Sequence, residues 1–299
     1  MPNIIANHLG IPFTQLSIQD AVNQIKLDYE QAIAAGTTAK MIRTGKLIKL
    51  IHQAVKHDFI NINIHPSLVN PSPRYLQRVV NPKAKRYNKA RKLGDQELQL
   101  AGFLKTKKQD IAIIPDNIHI RPEKLNLSSM LHGVTDIYGY NFTESILSIN
   151  VRSQLSSVDK NFDTLYERTF AESLNLHLRF PNMVLGEVYL IPTGEYTEAS
   201  TRENMVFKKV NLAKYIQAFR AINLRTGKND EKYKYERCCL LVVNFERNDP
   251  KIYNSTDELI QDGFLPQGST ASMAGLDYLN FVNDIWQIYT ARFPNNTFI

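Results

Sequence analysis

The chain of 299 residues is 43% hydrophobic and 22% charged, values typical of a soluble globular protein that can bury a large core. No basic start precedes an apolar segment, and no apolar run approaches the roughly 20 residues of a membrane helix, so we expect a cytoplasmic protein without a membrane partner. Two cysteines are too few for a disulfide-rich secreted fold.

The net charge of +7 is concentrated in one segment. Between Lys40 and Gly94 there are thirteen Lys or Arg residues and one acid, Asp58, whereas the remainder holds 23 basic and 28 acidic residues. A basic segment on a slightly acidic body indicates a surface for a polyanion, here DNA; the alternative is a solvated helical face without a ligand. The candidate DNA-binding residues are Lys46, Lys49, Arg74, Arg78, Lys83, Lys85, Arg86, Lys89, Arg91 and Lys92.

The front third of the chain is predicted to be helical. A first helix spans about residues 14–35, with Ser17 as a plausible N-cap and Gly36 as a natural stop. A second spans about residues 39–57, and a strongly basic third segment follows the break at residues 70–73. We therefore predict a basic helical region at residues 1–94 that contacts DNA.

From residue 95 onward, strand-like and helical segments alternate. Short strand-like runs at residues 111–114, 118–120 and 134–138 precede strands at 145–155, 184–191 and 238–245 and helices at 163–178, 211–223 and 272–292. This order predicts an α/β catalytic core at residues 95–299, with a mixed central sheet flanked by helices. Cys238 and Cys239 are adjacent on a strand and point to opposite faces, so we expect buried free thiols.

The strand at residues 146–154 has an unusual polar face. Ser148, Asn150, Arg152 and Gln154 alternate with Ile149, Val151 and Ser153. A polar row is costly to bury in a plain core, so this face either meets solvent or lines a site. The apolar strand at residues 184–191 indicates that the polar strand lies inside the sheet, which favours a site.

The segment Gly133-Val134-Thr135-Asp136, the polar strand and the helix after it together resemble the PD-(D/E)XK nuclease superfamily, which includes most type II restriction endonucleases. In that family, an Asp ending one strand and an acid-X-Lys on the neighbouring strand bind one or two Mg²⁺ ions and orient the attacking water. The resemblance aligns Asp136 with the first Asp, Asn150-Val151-Arg152 with acid-X-Lys, and Gln154 with a polar residue that often follows. Asn150, Arg152 and Thr135 depart from the family's acid, lysine and proline.

A site with Asn150 in place of an acid needs another negative ligand, since Mg²⁺ prefers carboxylate oxygen. Some restriction enzymes of this kind carry the second acid on the following helix, and Glu167 lies there, fifteen residues past Arg152. At about 100° per residue, Glu167 is predicted to face the sheet and Glu172 to face solvent. The resemblance thus implies Mg²⁺ on Asp136 and Glu167. The implied catalytic residues are Asp136, Asn150, Arg152, Gln154 and Glu167.

Each predicted metal ligand has an alternative without metal. Glu167 could form a buried ion pair with Arg152, and Asp136 could be a turn residue that caps a hairpin before Gly139. Glu187, alone in an apolar strand, fits a structural salt bridge but remains a reserve ligand.

Two further acids flank a strand-like run. Asp110 and Asp116 are the second choice for the family's Asp, because they are farther along the chain from the polar strand.

The resulting expectation is a Mg²⁺-dependent type II site-specific deoxyribonuclease. Symmetric duplex sites are usually cut by two-fold dimers, so we expect a homodimer on double-stranded DNA and a cognate methyltransferase for the same site. The principal alternative is a non-catalytic DNA-binding or regulatory protein that keeps a nuclease-like fold. A third, an enzyme acting on another substrate, has no positive feature in the sequence.

Overall fold

The computed structural model describes residues 16–73 and 96–298, and in addition the backbone of residues 4–6 and 12–14. Within these ranges the strands are β1 (Ile4–Ala6), β2 (Pro12–Thr14), β3 (Val69–Asn70), β4 (Leu98–Ala101), β5 (Thr106–Gln109), β6 (Ile111–Ile113), β7 (Glu123–Lys124), β8 (Thr135–Asp136), β9 (Leu147–Ser153), β10 (Val184–Pro192), β11 (Gly194–Tyr196), β12 (Phe207–Lys209), β13 (Arg237–Asn244) and β14 (Lys251–Tyr253). The α-helices are α1 (Ile18–Ala34), α2 (Thr38–Arg43), α3 (Ile48–Asn61), α4 (Tyr140–Glu144), α5 (Phe162–His177), α6 (Leu212–Ala221), α7 (Thr256–Gln261) and α8 (Phe281–Arg292).

A six-stranded sheet in the order β14-β13-β10-β9-β6-β3 forms the centre of the fold. Strands β9, β10 and β13 are parallel, and the other neighbouring pairs are antiparallel. Helix α5 connects β9 to β10, and α6 lies between β10 and β13 along the chain, as parallel neighbours require. The predicted mixed α/β sheet flanked by helices is therefore confirmed.

Helices cover both faces of this sheet. Residues of α1, α3 and α8, such as Val22, Ile51 and Phe281, share one apolar core with Ile149 and Val188 of the sheet. Residues of α5 and α6 share a second core with the opposite face. The described helices of the predicted front region, residues 1–94, thus have no core of their own, and β3 of the same region is a strand of the central sheet.

The front helices follow the sequence prediction only in part. Ser17 caps α1 in a capping box with Asp20, and Gly36 follows the helix with a φ of 63°. The single helix predicted for residues 39–57 is wrong, since α2 and α3 are separate. Gly45 lies between them with a φ of 60°, a left-handed conformation that cannot continue a right-handed helix.

Three further predictions are corrected or confirmed by the fold. The C-terminal helix starts at Phe281 rather than at residue 272, because Gly275 has a φ of 73° and breaks the preceding segment. Residues 118–120 form no strand. Cys238 and Cys239 are free and buried, one in each of the two cores, as expected.

None of the described helices is both long and apolar enough to cross a bilayer.

Candidate functional site

The polar face of β9 lies in the interior, beneath α5. Ser148 and Asn150 are buried, and Arg152 is half-buried. Asn150 is level with Glu187 on β10 in the parallel register. The prediction that the polar strand lies inside the sheet is therefore confirmed, and its polar side chains must find partners there because unpaired polar groups are costly to bury.

Glu172 of α5 is the centre of this polar cluster. Its side chain is 5% exposed and forms ion pairs with Lys107 of β5 and Arg152 of β9. Arg168, one helical turn earlier, brings its Nε to 3.5 Å from Glu172 Oε1, and the Asn150 amide donates to Oε2 over 3.4 Å. One buried carboxylate thus faces three cations.

Glu187 is a second acid at the same place, with Arg152 and Asn150 as its polar neighbours. It is fully buried, and its closest cation is Arg152, whose Nε lies 3.5 Å from Oε1. Burial raises the pKa of Glu187 to about 7, against the opposing influence of Arg152 and Lys107. Neither Glu187 oxygen has a close hydrogen bond from the described residues, which is uncommon for a buried carboxylate.

Asp110 is brought to the cluster by strand pairing. It immediately precedes β6, which is the antiparallel neighbour of β9. Its Oδ2 accepts a hydrogen bond of 2.8 Å from the backbone N–H of Val151, between Asn150 and Arg152. The Asp110 carboxylate is therefore held beside the strand that carries the polar row.

Two basic groups near Asp110 and Glu172 have shifted pKa values. Burial, followed by the neighbouring charges of Arg152 and Arg168, lowers the pKa of Lys107 to about 8. Burial also lowers the pKa of His52, which lies on α3, and Asp110 opposes that shift. An amine with a pKa of about 8 exchanges protons near neutral pH far more readily than an ordinary lysine.

A cavity of about 360 Å³ opens beside these residues at the carboxyl end of β9. One wall is polar and includes Lys107, Asp110, Arg152, Gln154 and Arg168. The opposite wall, from the connection between α2 and α3, is mostly apolar and includes Met41, Ile42 and Ile48. Ligands of α/β proteins commonly bind at the carboxyl ends of parallel strands, so this cavity is the candidate site.

The structure does not bring the two predicted metal ligands together. Asp136 lies on β8, outside the central sheet; its Oδ2 is 2.7 Å from an Arg179 nitrogen, and its Oδ1 accepts from the Tyr138 N–H over 3.0 Å. Glu167 is exposed on α5, ten residues before the end of that helix at His177. Ten residues correspond to about 15 Å of helix. Arg179, which binds Asp136, lies just after the end of the helix, so Asp136 is also at that end. Asp136 and Glu167 are therefore too far apart to share an ion.

The predicted orientation of α5 is wrong. Glu172 faces the sheet and Glu167 faces solvent, the reverse of the expectation. The buried stripe of the helix contains Thr169, Glu172 and Ser173, so counting apolar residues selects the wrong face. Glu167 therefore forms no buried ion pair with Arg152; Glu172 does.

The other predicted site residues divide between the cavity and elsewhere. Asn150 lies in the cluster, and Arg152 and Gln154 line the cavity. Asp116 instead accepts a hydrogen bond from Thr297 near the C-terminus. Lys46 and Lys49 are exposed beside the cavity wall. Of the predicted DNA-binding residues, Arg74, Arg78, Lys83, Lys85, Arg86, Lys89, Arg91 and Lys92 lie outside the described residues.

The sequence prediction missed Lys107, Arg168 and the inward position of Glu172. A weak signal existed for Lys107, because it alternates with Gln109 on a short strand next to Asp110 and both side chains turn toward the sheet. No local signal marks Arg168, whose position depends on the packing of α5.

The described residues contain no group of three or more His, Cys, Asp or Glu side chains that could hold a metal ion. A Mg²⁺ site can have fewer protein ligands than this. The ion is often bound by one or two carboxylates and completes its shell with water and substrate phosphate. Asp110 lines the cavity and Glu187 lies level with Asn150 on the next strand, so these two acids are the candidates for such a site.

Comparison of the chain with models of known protein families, with curated proteins and with solved structures finds no match.

Proposed function

We propose that this chain is a Mg²⁺-dependent endonuclease that hydrolyses phosphodiester bonds of double-stranded DNA at specific sites, in the manner of type II restriction enzymes. The observation that carries the proposal is the bond from Val151 N–H to the Asp110 carboxylate. It joins an acid at the start of β6 to the middle of Asn150-Val151-Arg152 on the neighbouring strand β9.

This arrangement corresponds to the nuclease pattern better with Asp110 than with Asp136. The family pattern has an Asp at the end of one strand and acid-X-Lys on its neighbour, and β6 and β9 are neighbours. Asp136 is on a two-stranded hairpin and is neutralised by Arg179. Within the proposal, Asp110 therefore replaces Asp136, and Glu172 and Glu187 replace Glu167 as the nearby acids.

Asp110 and Glu187 would hold the cation, with Asn150 between them as a neutral oxygen donor. When bound, Mg²⁺ polarises the phosphate and lowers the pKa of a water ligand.

The remaining polar residues have roles that follow from their charge. Arg152 stays protonated, so it stabilises negative charge on the phosphate but cannot accept a proton. Glu172 holds Arg152, Lys107 and Arg168 at the polar wall of the cavity. Gln154, at the end of β9, presents a neutral side chain to the same cavity. The apolar wall opposite limits the access of bulk water.

Several partners follow from this proposal. A restriction enzyme that cuts both strands of a symmetric site acts as a homodimer, and the host DNA is protected by a methyltransferase for the same site. Both belong to the proposal, as does a cytoplasmic location.

A second candidate function is DNA binding without cleavage. The observation that favours it is the pairing of Glu172, since Lys107, Arg152 and Arg168 already surround this acid. Such a cluster can serve the fold alone, and Asn150 lacks the charge of the family's acid. The two candidate functions differ in whether DNA is cleaved when a divalent ion is present.

The test is incubation of the full chain with phage and plasmid DNA, first with Mg²⁺ and then with EDTA. Discrete fragments that require Mg²⁺ support the endonuclease. Salt-sensitive binding with intact DNA at every metal concentration would instead support the binding protein.

Variants then assign the site. Asp110→Asn and Glu187→Gln are expected to abolish cleavage and retain DNA binding. Glu167→Gln is the matched control, because it removes an exposed acid from α5 near the cluster. If Glu167→Gln abolishes cleavage while Asp110→Asn cuts normally, the assignment of the ligands is wrong. Circular dichroism of each variant verifies that the fold is intact.

A further inference from the structure

Exposed cations border the cavity along the connection between α2 and α3. Lys40, Arg43, Lys46 and Lys49 are all exposed; Lys46 pairs with Asp28 over 3.2 Å, and Lys40 and Arg43 line a separate pocket. Gly45 and Ile42, from the same segment, line the cavity wall. We call these four cations the helical bank.

Cations also border the opposite side. Lys105, next to β5, is exposed, and Lys107, two residues later, lines the cavity. Arg168 of α5 lines the same wall and has a side chain that is 62% exposed. We call Lys105 and Arg168 the strand bank.

Two of the cations that line the cavity, Lys107 and Arg168, share one carboxylate, while Arg152 has Glu187 as a second counter-charge. Lys107 and Arg168 both contact Glu172 Oε1, while Arg152 contacts Oε2, so three cations share one carboxylate. Asp110 is the acid that lines the cavity, and it is engaged with the backbone of β9. An anion entering from solvent would meet Lys107 and Arg168 where both already contact Glu172, and it would share them with that carboxylate.

We propose that the two banks form a groove for the DNA backbone, in which Lys107 and Arg168 bind one phosphate at the mouth of the cavity. This proposal rests on the proposed function and names the surface by which that site receives its substrate. The sequence prediction assigned none of Arg168, Lys105 and Lys107 to DNA.

The size and lining of the cavity fit one nucleotide unit. A volume of about 360 Å³ is at the lower end of small-ligand sites, far too small for a duplex. The backbone must therefore pass over the mouth, with one phosphate directed inward. Met41, Ile42 and Leu165 provide apolar surface against which a deoxyribose can pack.

The test measures binding of a fluorescent 20-base-pair duplex of arbitrary sequence in EDTA, as a function of salt, by anisotropy. Each phosphate contact contributes about 0.9 to the slope of log K against log salt concentration. Arg168→Ala and Lys105→Ala are each expected to weaken binding and reduce the slope by about 0.9. Their side chains are exposed, so these substitutions spare the fold; Lys107→Ala is a third variant, with its stability measured in parallel.

The matched control is Arg220→Ala. Arg220 is an exposed arginine on α6, a helix that packs against β13, two strands away from β9. We expect its slope and affinity to equal those of the parent chain. Unchanged slopes in both Arg168→Ala and Lys105→Ala would overturn the groove, and so would an equal decrease in Arg220→Ala.

The binding test of the groove and the cleavage test of the endonuclease can give different results, so either proposal can fail alone. Reduced slopes together with intact DNA in Mg²⁺ would support the groove and refute the endonuclease. Mg²⁺-dependent fragments together with unchanged slopes would support the endonuclease and refute the groove.

Discussion

Arg152 of β9 and Glu172 of α5 form an ion pair across the interface between sheet and helix, with side chains 12% and 5% exposed. Arg152 Nη1 also donates to Thr169 Oγ1 over 2.5 Å, which fixes the guanidinium against the helix. Burial opposes the charge of Arg152, but Glu187 and other neighbouring groups outweigh it and raise the pKa of Arg152. Arg152 therefore stays charged, and it meets an acid that lies twenty positions later in the chain.

Glu172→Gln is predicted to destabilise the protein by about 3 kcal/mol, because it removes the carboxylate that Lys107 and Arg152 share. Glu167→Gln removes an exposed acid from the same helix and is predicted to change stability by less than about 0.5 kcal/mol. Urea unfolding of both variants at pH 7 checks the difference. Equal losses would contradict the inward position of Glu172.

A second buried cluster of charged residues lies at the opposite end of the sheet. Both oxygens of the fully buried Glu236 are engaged: Oε1 lies 2.7 Å from Arg225 and 2.7 Å from Arg292, and Oε2 accepts from Leu185 N–H over 2.8 Å. Burial would raise the pKa of Glu236, but His177, Arg292 and Arg225 lower it to about 2.

Glu236→Gln is predicted to cost about 3 to 5 kcal/mol, since the fully buried Arg225 would lose its charged partner. Glu231→Gln, in the preceding loop, removes a half-exposed acid and is expected to be nearly neutral. Thermal unfolding followed by circular dichroism compares the two. A neutral result for Glu236→Gln would mean that this network contributes nothing to stability.

Asp58 on α3 provides a pH-dependent contribution to stability. Burial raises its pKa from 3.8 to about 6, against hydrogen bonds from Tyr278 and Asn61. The folded chain then binds this proton more tightly than the unfolded chain. The stabilisation is thus complete below pH 4 and is lost as the pH rises through 6.

Asp58→Asn keeps a hydrogen-bond acceptor for the Tyr278 hydroxyl, which lies 2.6 Å from the Asp58 carboxylate, and removes the titration. Relative to the parent, the variant is predicted to gain up to about 3 kcal/mol between pH 4 and pH 8. Urea unfolding at both pH values measures this change. A difference in stability that is independent of pH would contradict the raised pKa.

Divalent metal is predicted to stabilise the folded chain through Asp110 and Glu187. A ligand at 100 times its Kd adds about 2.7 kcal/mol when it binds only the folded state. We expect MgCl₂ to raise the Tm of the parent and of Glu167→Gln, but not of Asp110→Asn or Glu187→Gln. NaCl at the same ionic strength is the control. An equal rise with NaCl in every variant would remove the support for a metal site.

Most secondary structure could be predicted because it depends on local patterns. The capping box at Ser17, the alternation along β9 and the apolar run of β10 each specify their element within a few residues. The break at Gly45 was missed, because a glycine inside a periodic apolar segment is compatible with either a helix or a turn.

The candidate site could be predicted only for the residues on β9. Alternation along a strand assigns Asn150, Arg152 and Gln154 to one face whatever surrounds them. Alternation does not identify the acidic residues that contact this face. Asp110 reaches Val151 through antiparallel pairing across 41 residues, and Glu172 through the rotation of α5. Neither relation is encoded in a local pattern.

The sequence by itself determined that a row of polar side chains lies on a strand inside an α/β sheet, because side-chain alternation and apolar runs are properties of neighbouring residues. Only the tertiary structure decided that Asp110, Glu172 and Glu187 meet this row, and that Asp136 pairs with Arg179 and Glu167 faces solvent. The reason is energetic. A buried charge is positioned by the counter-charges that compensate its desolvation, and those come from distant segments of the chain.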